Sequence, residues 1–94
     1  MADLENLRAE IDKIDREVFN LLKRRFALVK KVGLYKIKHD LPIYQRTRWL
    51  SILNEHVSRG SRLGLEASFV EALMKLIHRH AIHIQRRMKK EDKL

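Results

Sequence analysis

A helical repeat of apolar residues near the start of the chain contains an arginine in its own phase. In the stretch FNLLKRRFALVKKV, residues 19–32, Arg25 follows Leu21 by four positions and precedes Leu28 by three, so that all three lie on one face of a helix. A buried guanidinium without a partner is costly. Either Arg25 extends its stem to the surface or pairs with a structural carboxylate, or it lines a pocket that receives an anion.

Two further cations follow the same stripe. Arg8 flanks Leu4 and Leu7, and Lys36 lies eleven residues after Arg25, three turns further along nearly the same face. Each of them alone is typical of a solvated charge. Arg8 and Arg25 are 17 residues apart, about 25 Å along a helix, so one small ligand cannot contact both within one chain. An antiparallel pair of chains would bring Arg8 of one copy near Arg25 and Lys36 of the other, and the spacing therefore favours a shared site.

The helices that must position these residues are predicted from the apolar spacing. The first is expected over about residues 4–39, where apolar side chains alternate steps of three and four along a heptad-like seam. Pro42 suits a first helical turn, and the second helix is expected over about 42–58. The third is expected over about 66–89, and the charged tail 90–94 is expected to fray. The seam consists of Leu4, Leu7, Ile11, Ile14, Val18, Leu21, Arg25, Leu28, Val32 and Tyr35.

The pattern predicts a single all-α domain over residues 1–94 that forms a homodimer. The two shorter helices can cover only part of the seam of the first. An apolar stripe left in water favours aggregation, and a second copy of the chain, with the long helices packed together, would cover it. We therefore expect an intertwined helical homodimer.

Composition narrows the choice of partner. The formal charge is +9, from 21 Lys and Arg against 12 Asp and Glu, which favours nucleic acid, a membrane surface or a small acidic metabolite. Because the sequence has no cysteine, a disulfide framework and a thiolate zinc site are excluded. The start MADLENLRAE is unlike a secretory signal, and no segment is long enough to span a bilayer. A cytoplasmic protein without a membrane partner is expected.

The stretch LRAEIDKIDREVFNLLKRR, followed by VGLYK, resembles the first helix of the all-helical chorismate mutase family. The similarity continues through Pro42, Arg48, the GL before the third helix and Gln85, and covers about residues 4–88. No single motif is specific, but the ordered set at these separations is. The resemblance implies a homodimer of three-helix chains that rearranges chorismate to prephenate, in phenylalanine and tyrosine biosynthesis, without a metal or cofactor.

The resemblance also implies roles for individual residues. Arg25, with Arg8 from the partner chain, would bind the substrate carboxylates, for which the planar guanidinium is suited. Lys36 and Gln85 would donate hydrogen bonds to the ether oxygen, where negative charge develops in the transition state. Arg25, Lys36 and Gln85 are accordingly the predicted catalytic residues.

The chain departs from the family's pattern on its second and third helices. The family usually carries Asp-x-x-Arg-Glu on the second helix, and this chain has QRTRW, with Gln45 for the Asp and Trp49 for the Glu. Arg48 matches the arginine, although a register that uses Arg46 stays open. Ala81 stands where the family often has Ser. Gln45 can still accept a hydrogen bond, whereas Trp49 cannot replace a carboxylate, so recognition of the ring hydroxyl is open.

Two other functions stay open. Isochorismate-pyruvate lyases share this fold and its cations, also lack acids on the second helix, and resemble the stretch GLEASFVEAL. A basic helical module that binds nucleic acid, or that only dimerises, is the alternative of another class, with RRMKKEDK and KRR as phosphate contacts. That alternative leaves the arginine in the seam unexplained, so we expect no nucleic-acid partner.

Three histidines of the third helix raise the question of a metal site. His80 and His83 share a helix face, but His78 points elsewhere, and no acidic ligand lies in phase with them. Solvated histidines are therefore expected, and no metal.

Overall fold

The described part of the chain forms three α-helices joined by two short connections. The computed structural model of the protein describes residues 2–92, in which α1 spans Ala2–Lys38, α2 spans Arg46–Arg62 and α3 spans Ala67–Asp92. The all-α prediction is confirmed over this range. No helix within residues 2–92 combines the length and the apolar character that crossing a membrane requires.

Helix α3 packs against both α1 and α2 and supplies most of the small core. Its buried side chains are Val70, Met74, Ala81 and Gln85, and Ile43 joins them from the connection between α1 and α2. The four positions on α3 are separated by four, seven and four residues, which places them along one stripe of the helix. The core therefore contains one polar side chain, Gln85, of which only 3% is exposed.

Two glycines let α3 approach its neighbours closely. A Cβ on Gly60 of α2 would lie 2.6 Å from Cγ2 of Val70, and a Cβ on Gly33 of α1 would lie 3.0 Å from Cγ of Gln85. Because packed interiors have little spare space, a larger residue at either position would push α3 away. Gly33 thus allows the backbone of α1 to lie directly beside Gln85.

The connection between α1 and α2 differs from the prediction. Helix α2 begins at Arg46, four residues later than the predicted start at Pro42, and Gln45 before it is extended, with φ −120° and ψ 98°. The physical reason lies in the connection itself. The carbonyl of Ile43 accepts a hydrogen bond from Nζ of Lys36 at 2.7 Å. This contact holds the segment against α1, so the segment does not become the first turn of α2.

The ends of α2 and α3 also lie further along the chain than expected. Helix α2 continues to Arg62, beyond the predicted end at residue 58, so Gly60 belongs to the helix rather than to the connection. The chain then turns at Gly64, whose φ of 82° is readily adopted by glycine. Helix α3 continues to Asp92, so residues 90–92 of the predicted frayed tail are helical, since Lys and Glu favour helix without packing. Residues 93–94 lie outside the described residues.

The apolar seam of α1 is largely uncovered in a single chain. Its apolar members from Leu4 to Tyr35 are each between 46 and 59% exposed. The molecule is 57 Å long with a radius of gyration of 17.0 Å, whereas a compact chain of this length has a radius of about 12 Å. Helix α1 thus extends beyond the part that α3 covers, with its apolar stripe in contact with solvent.

Candidate active site

A cavity of about 410 Å³ lies between α1, α3 and the start of α2. A space of this size suits a small organic ligand. Among the residues that the structure describes, its lining includes three cationic side chains and no acidic one, so it suits an anion. Seven of the eight residues predicted for the site line this cavity, namely Arg25, Lys36, Gln45, Arg48, Trp49, Ala81 and Gln85.

Lys36 and Gln85 form a hydrogen-bonded pair at one end of the cavity. Nζ of Lys36 donates to Oε1 of Gln85 at 2.8 Å and to the carbonyl of Ile43 at 2.7 Å. Nε2 of Gln85 donates to the carbonyl of Val29 at 2.9 Å, so the amide orientation is fixed at both ends. Burial lowers the pKa of Lys36. An ammonium has three N–H groups and an amide nitrogen two, so each side chain keeps one donor for a ligand.

Arg25 faces the cavity from the seam of α1, one turn before Val29. Its Nη1 atom is buried and has no hydrogen-bond partner among residues 2–92. Burial lowers the pKa of the guanidinium, because a charge loses hydration inside the protein. Of the two structural roles considered for Arg25, pairing with a carboxylate is not seen, since no carboxylate within the described range pairs with it.

The residues of the second helix meet the cavity in the expected register. Arg48 lines it, whereas Arg46 is exposed and does not, so the alternative register with Arg46 is not the one observed. Gln45 lies at the N-terminus of α2, and its Nε2 donates to the carbonyl of Pro42 at 3.3 Å, which leaves Oε1 of Gln45 able to accept. Ala81, buried on α3, adds an apolar surface where a serine would offer a hydroxyl.

Besides apolar side chains, sequence reasoning missed one polar residue of the cavity lining, His78. It was expected to be solvated, but it is half-buried and lines the cavity, and its ring stacks on the indole of Trp49 with centroids 3.9 Å apart and planes 13° apart. The spacing of His78 from the predicted site residues of α3 already indicated that it faces the cavity. His78 lies three residues before Ala81 and seven before Gln85, which places all three on one face of α3.

Arg8 is the predicted site residue that the single chain does not bring to the cavity. It lies on an exposed part of α1, near the end of the helix that α3 does not reach. Its predicted contribution depends on a second copy of the chain. Residues 2–92 contain no group of three or more His, Cys, Asp or Glu side chains that could hold a metal ion.

Comparison with known proteins identifies the family to which the chain with this set of cavity residues belongs. The family model described as chorismate mutase type II matches residues 7–86, which include every lining residue of the cavity. The chain belongs to the chorismate mutase type II family. The resemblance inferred from the ordered motifs is therefore confirmed at the level of the family.

Relatives of this chorismate mutase type II chain include both long and short proteins. It is 35% identical over 81 residues to the T-protein of Haemophilus influenzae, which covers 86% of this chain and 22% of that protein. It is 48% identical over 44 residues to the bifunctional chorismate mutase/prephenate dehydratase of Aquifex aeolicus, covering 47% of this chain and 12% of that one. It is 32% identical over 76 residues to the 4-amino-4-deoxychorismate mutase of Streptomyces venezuelae, covering 80% and 73%. The chain thus spans about a fifth of the length of the T-protein.

Proposed function

We propose that the chain is a cytoplasmic chorismate mutase, which rearranges chorismate to prephenate in the biosynthesis of phenylalanine and tyrosine. In this reaction the ether C–O bond of the enolpyruvyl side chain breaks while a C–C bond forms between that side chain and the ring. No proton or electron has to be exchanged with the protein. The protein then contributes by holding the dianion in its compact conformation and by stabilising charge on the ether oxygen.

The observation that carries the proposal is the buried, unpaired Nη1 atom of Arg25. Leaving a guanidinium nitrogen buried without an acceptor costs free energy, and a ligand carboxylate offsets that cost with short, charge-assisted hydrogen bonds. Arg48 and Lys36 line the same cavity and make it more favourable for a dianion. A plain dimerisation module would gain nothing from this arrangement.

The Lys36–Gln85 pair is the proposed source of transition-state stabilisation. Each of the two side chains keeps one N–H group beyond its contacts with the protein, and both line the cavity from one end. Donors that are fixed before the reaction need no rearrangement when the ether oxygen gains charge. We assign Lys36 and Gln85 to the ether oxygen and the arginines to the carboxylates.

A homodimer with shared sites completes the proposal. The exposed seam of α1 is the surface that a second α1 would cover, with the two helices antiparallel. In that arrangement the partner subunit's Arg8 would close the open side of the cavity and contact the second carboxylate. Arg8 lies 17 residues from Arg25 in the same chain, about 25 Å along the helix, and therefore cannot do so within one chain.

Incubation of the purified protein with chorismate tests the function. The expected result is loss of chorismate with prephenate as the product, identified by NMR. Arg25→Met should remove this activity, whereas Arg24→Met, at the neighbouring exposed position, should keep it. Chorismate that remains unconsumed at high protein concentration would exclude the proposed activity.

The second candidate is isochorismate-pyruvate lyase activity, which the acid-free cavity favours. Among the described residues, α2 lines the cavity with Arg48, Trp49 and Ile52 and with no carboxylate, so the position of a ring hydroxyl is less tightly specified. The same assay with isochorismate, and with pyruvate as the measured product, tests this candidate.

A third assay with 4-amino-4-deoxychorismate should give slow turnover, because an ammonium group on the ring would enter a cavity that already holds three cationic side chains.

A further inference from the structure

His78 is a polar cavity residue that the proposed mechanism does not use. Its ring is held between two aromatic side chains, stacked on Trp49 at 3.9 Å and edge-on to Tyr44 at 5.9 Å between centroids. Its Nε2 atom is buried and lacks a hydrogen-bond partner within residues 2–92. His78 itself lines the cavity, so a ligand bound there is a hydrogen-bond partner available to this nitrogen.

The cavity is rich in hydrogen-bond donors and poor in acceptors. Arginine and lysine side chains only donate. Oε1 of Gln85 already accepts from Lys36 at 2.8 Å, and Trp49 offers only an N–H group. The side-chain acceptors that remain in the cavity are Oε1 of Gln45 and an unprotonated ring nitrogen of His78. A ligand hydroxyl that enters this space must donate to one of them or leave its proton unsatisfied.

The charges around His78 favour its neutral form. Burial lowers its pKa, and the charges of Lys36 and Arg25 lower it further. The other titratable side chains that share a cavity with His78 come from α2, α3 and the connection before α2, and none of them is acidic. They are Arg48 of α2, Tyr44 of the connection, and Lys75, Arg79, His83 and Arg86 of α3. A neutral imidazole with its proton on Nδ1 leaves Nε2 as an acceptor.

We propose that His78 is a specificity-determining residue whose Nε2 accepts a hydrogen bond from the ring hydroxyl of the substrate. The acceptor would then come from α3, whereas the family's pattern has a carboxylate on α2, at the position that Trp49 occupies in this chain. Trp49 keeps an indirect part in this recognition, because its indole fixes the plane of the imidazole. The assignment rests on the proposed function, since it takes the ligand to be a hydroxylated cyclic diacid.

A comparison of two ligands on the wild type and three variants tests the assignment. The ligands are an oxabicyclic dicarboxylic acid that carries the ring hydroxyl and the same compound without it, and the measurement is the Kd by calorimetry. His78→Leu should weaken binding of the hydroxylated compound by about three- to tenfold, the range of one hydrogen bond, and should change the Kd of the other compound by less than about twofold. His78→Gln, whose amide oxygen reaches the position of Nε2, should recover part of the loss.

The outcomes separate the His78 assignment from the proposed function. Equal losses for both ligands in His78→Leu, or no loss for either, would leave His78 with a packing role and refute the assignment while chorismate turnover by the wild type persists. A wild-type protein that neither binds the diacids nor converts chorismate would overturn both. His80→Leu is the matched control, because His80 lies on the same helix but contacts Phe26 outside the cavity, and its binding of both ligands should equal that of the wild type.

Discussion

Nζ of Lys36 lies 2.8 Å from Oε1 of Gln85, and this hydrogen bond joins the end of α1 to α3 across the candidate active site. The same amide reaches back to the carbonyl of Val29 at 2.9 Å, and Gly33 gives the space in which the two helices meet. Gln85 therefore has two tasks, since it connects the helices and orients the ammonium group. Loss of its side chain should affect stability and catalysis together.

Gln85→Leu should destabilise the protein and slow the reaction. The substitution removes the side-chain hydrogen bond to the Val29 carbonyl, which keeps its helical partner, and leaves one N–H of Lys36 without an acceptor, which costs about 1–3 kcal/mol of unfolding free energy. The loss of one donor to the developing negative charge should lower kcat by about 10²- to 10³-fold. Urea denaturation and steady-state kinetics measure the two effects, and Arg86→Leu, at the neighbouring exposed position, should show neither. A Gln85→Leu protein with wild-type kcat would contradict the assigned role.

Arg25→Met, unlike Gln85→Leu, should lower the activity without lowering the stability of the protein. Removal of a buried, unpaired guanidinium nitrogen relieves a desolvation cost, so the melting temperature of the ligand-free protein should equal or exceed that of the wild type. The value of kcat/KM for chorismate should fall by at least about 10²-fold, because a carboxylate loses its charged donor. Thermal melts and kinetics test this, with Arg24→Met as the control. A clear loss of stability in Arg25→Met would indicate a structural role instead.

The sequence alone was sufficient to predict those features of the protein that a single physical rule determines. The three-four spacing from Leu4 to Tyr35 predicted α1, because an apolar stripe of that length has no other regular structure. It also showed Arg25 as the residue that breaks the pattern, and the structure places Arg25 in the cavity. The three helices of the described range, their order and seven of the fourteen residues that line the cavity were thus predicted from the sequence.

The parts that escaped sequence analysis depend on contacts between distant segments. Pro42 is a good first residue of a helix, yet α2 starts at Arg46, because Lys36 captures the carbonyl of Ile43. His78 was assigned to solvent because no acidic ligand lies in phase with the histidines of α3; its spacing gives the helix face, but the contact with Trp49 is visible in the structure alone. Local propensity cannot reveal either arrangement, since in both cases the deciding partner comes from another element.

Ile11→Glu should shift the protein from dimer to monomer and remove its activity. Ile11 lies in the N-terminal part of the exposed seam, 56% exposed in the single chain, and a carboxylate there would be buried against the partner's α1 without a counter-charge. Sedimentation velocity would show the change in mass, and chorismate turnover the loss of the shared site. Asn20→Glu introduces the same charge on the opposite face of α1 and should leave both unchanged. A wild-type protein that sediments as a monomer would refute the dimer.

Complementation between two inactive variants tests whether the site is shared. Arg8→Ala and Arg25→Met should each be inactive as homodimers. In a heterodimer, one of the two sites would receive both wild-type arginines and the other neither. Unfolding and refolding an equal mixture should therefore restore about a quarter of the wild-type activity, because half of the dimers are mixed and half of their sites are intact. Activity that stays at the level of the separate variants would show that Arg8 acts in its own chain or not at all.

The pH dependence of kcat/KM should show the ionisation of His78. The pKa of His78 lies below its ordinary value of 6.5, because burial and the charges of Lys36 and Arg25 disfavour the imidazolium. As the pH falls through that lowered pKa, Nε2 gains a proton and ceases to be an acceptor, so kcat/KM for chorismate should decrease on the acid side. This decrease on the acid side should be absent in His78→Leu, whose kcat/KM should be lower than that of the wild type but independent of pH over the same range.

The same ionisation links the stability of the protein to pH, and the direction follows from proton counting. Between the lowered pKa of the folded state and 6.5, the unfolded chain binds more protons at His78 than the folded protein does, so the stability falls as the pH decreases through this window. Above 6.5 both states are neutral at His78 and this contribution disappears. Thermal melts of wild type and His78→Leu should therefore diverge only on the acid side, with the wild type losing stability more steeply. Parallel melting curves across the window would mean that His78 titrates normally and is open to solvent.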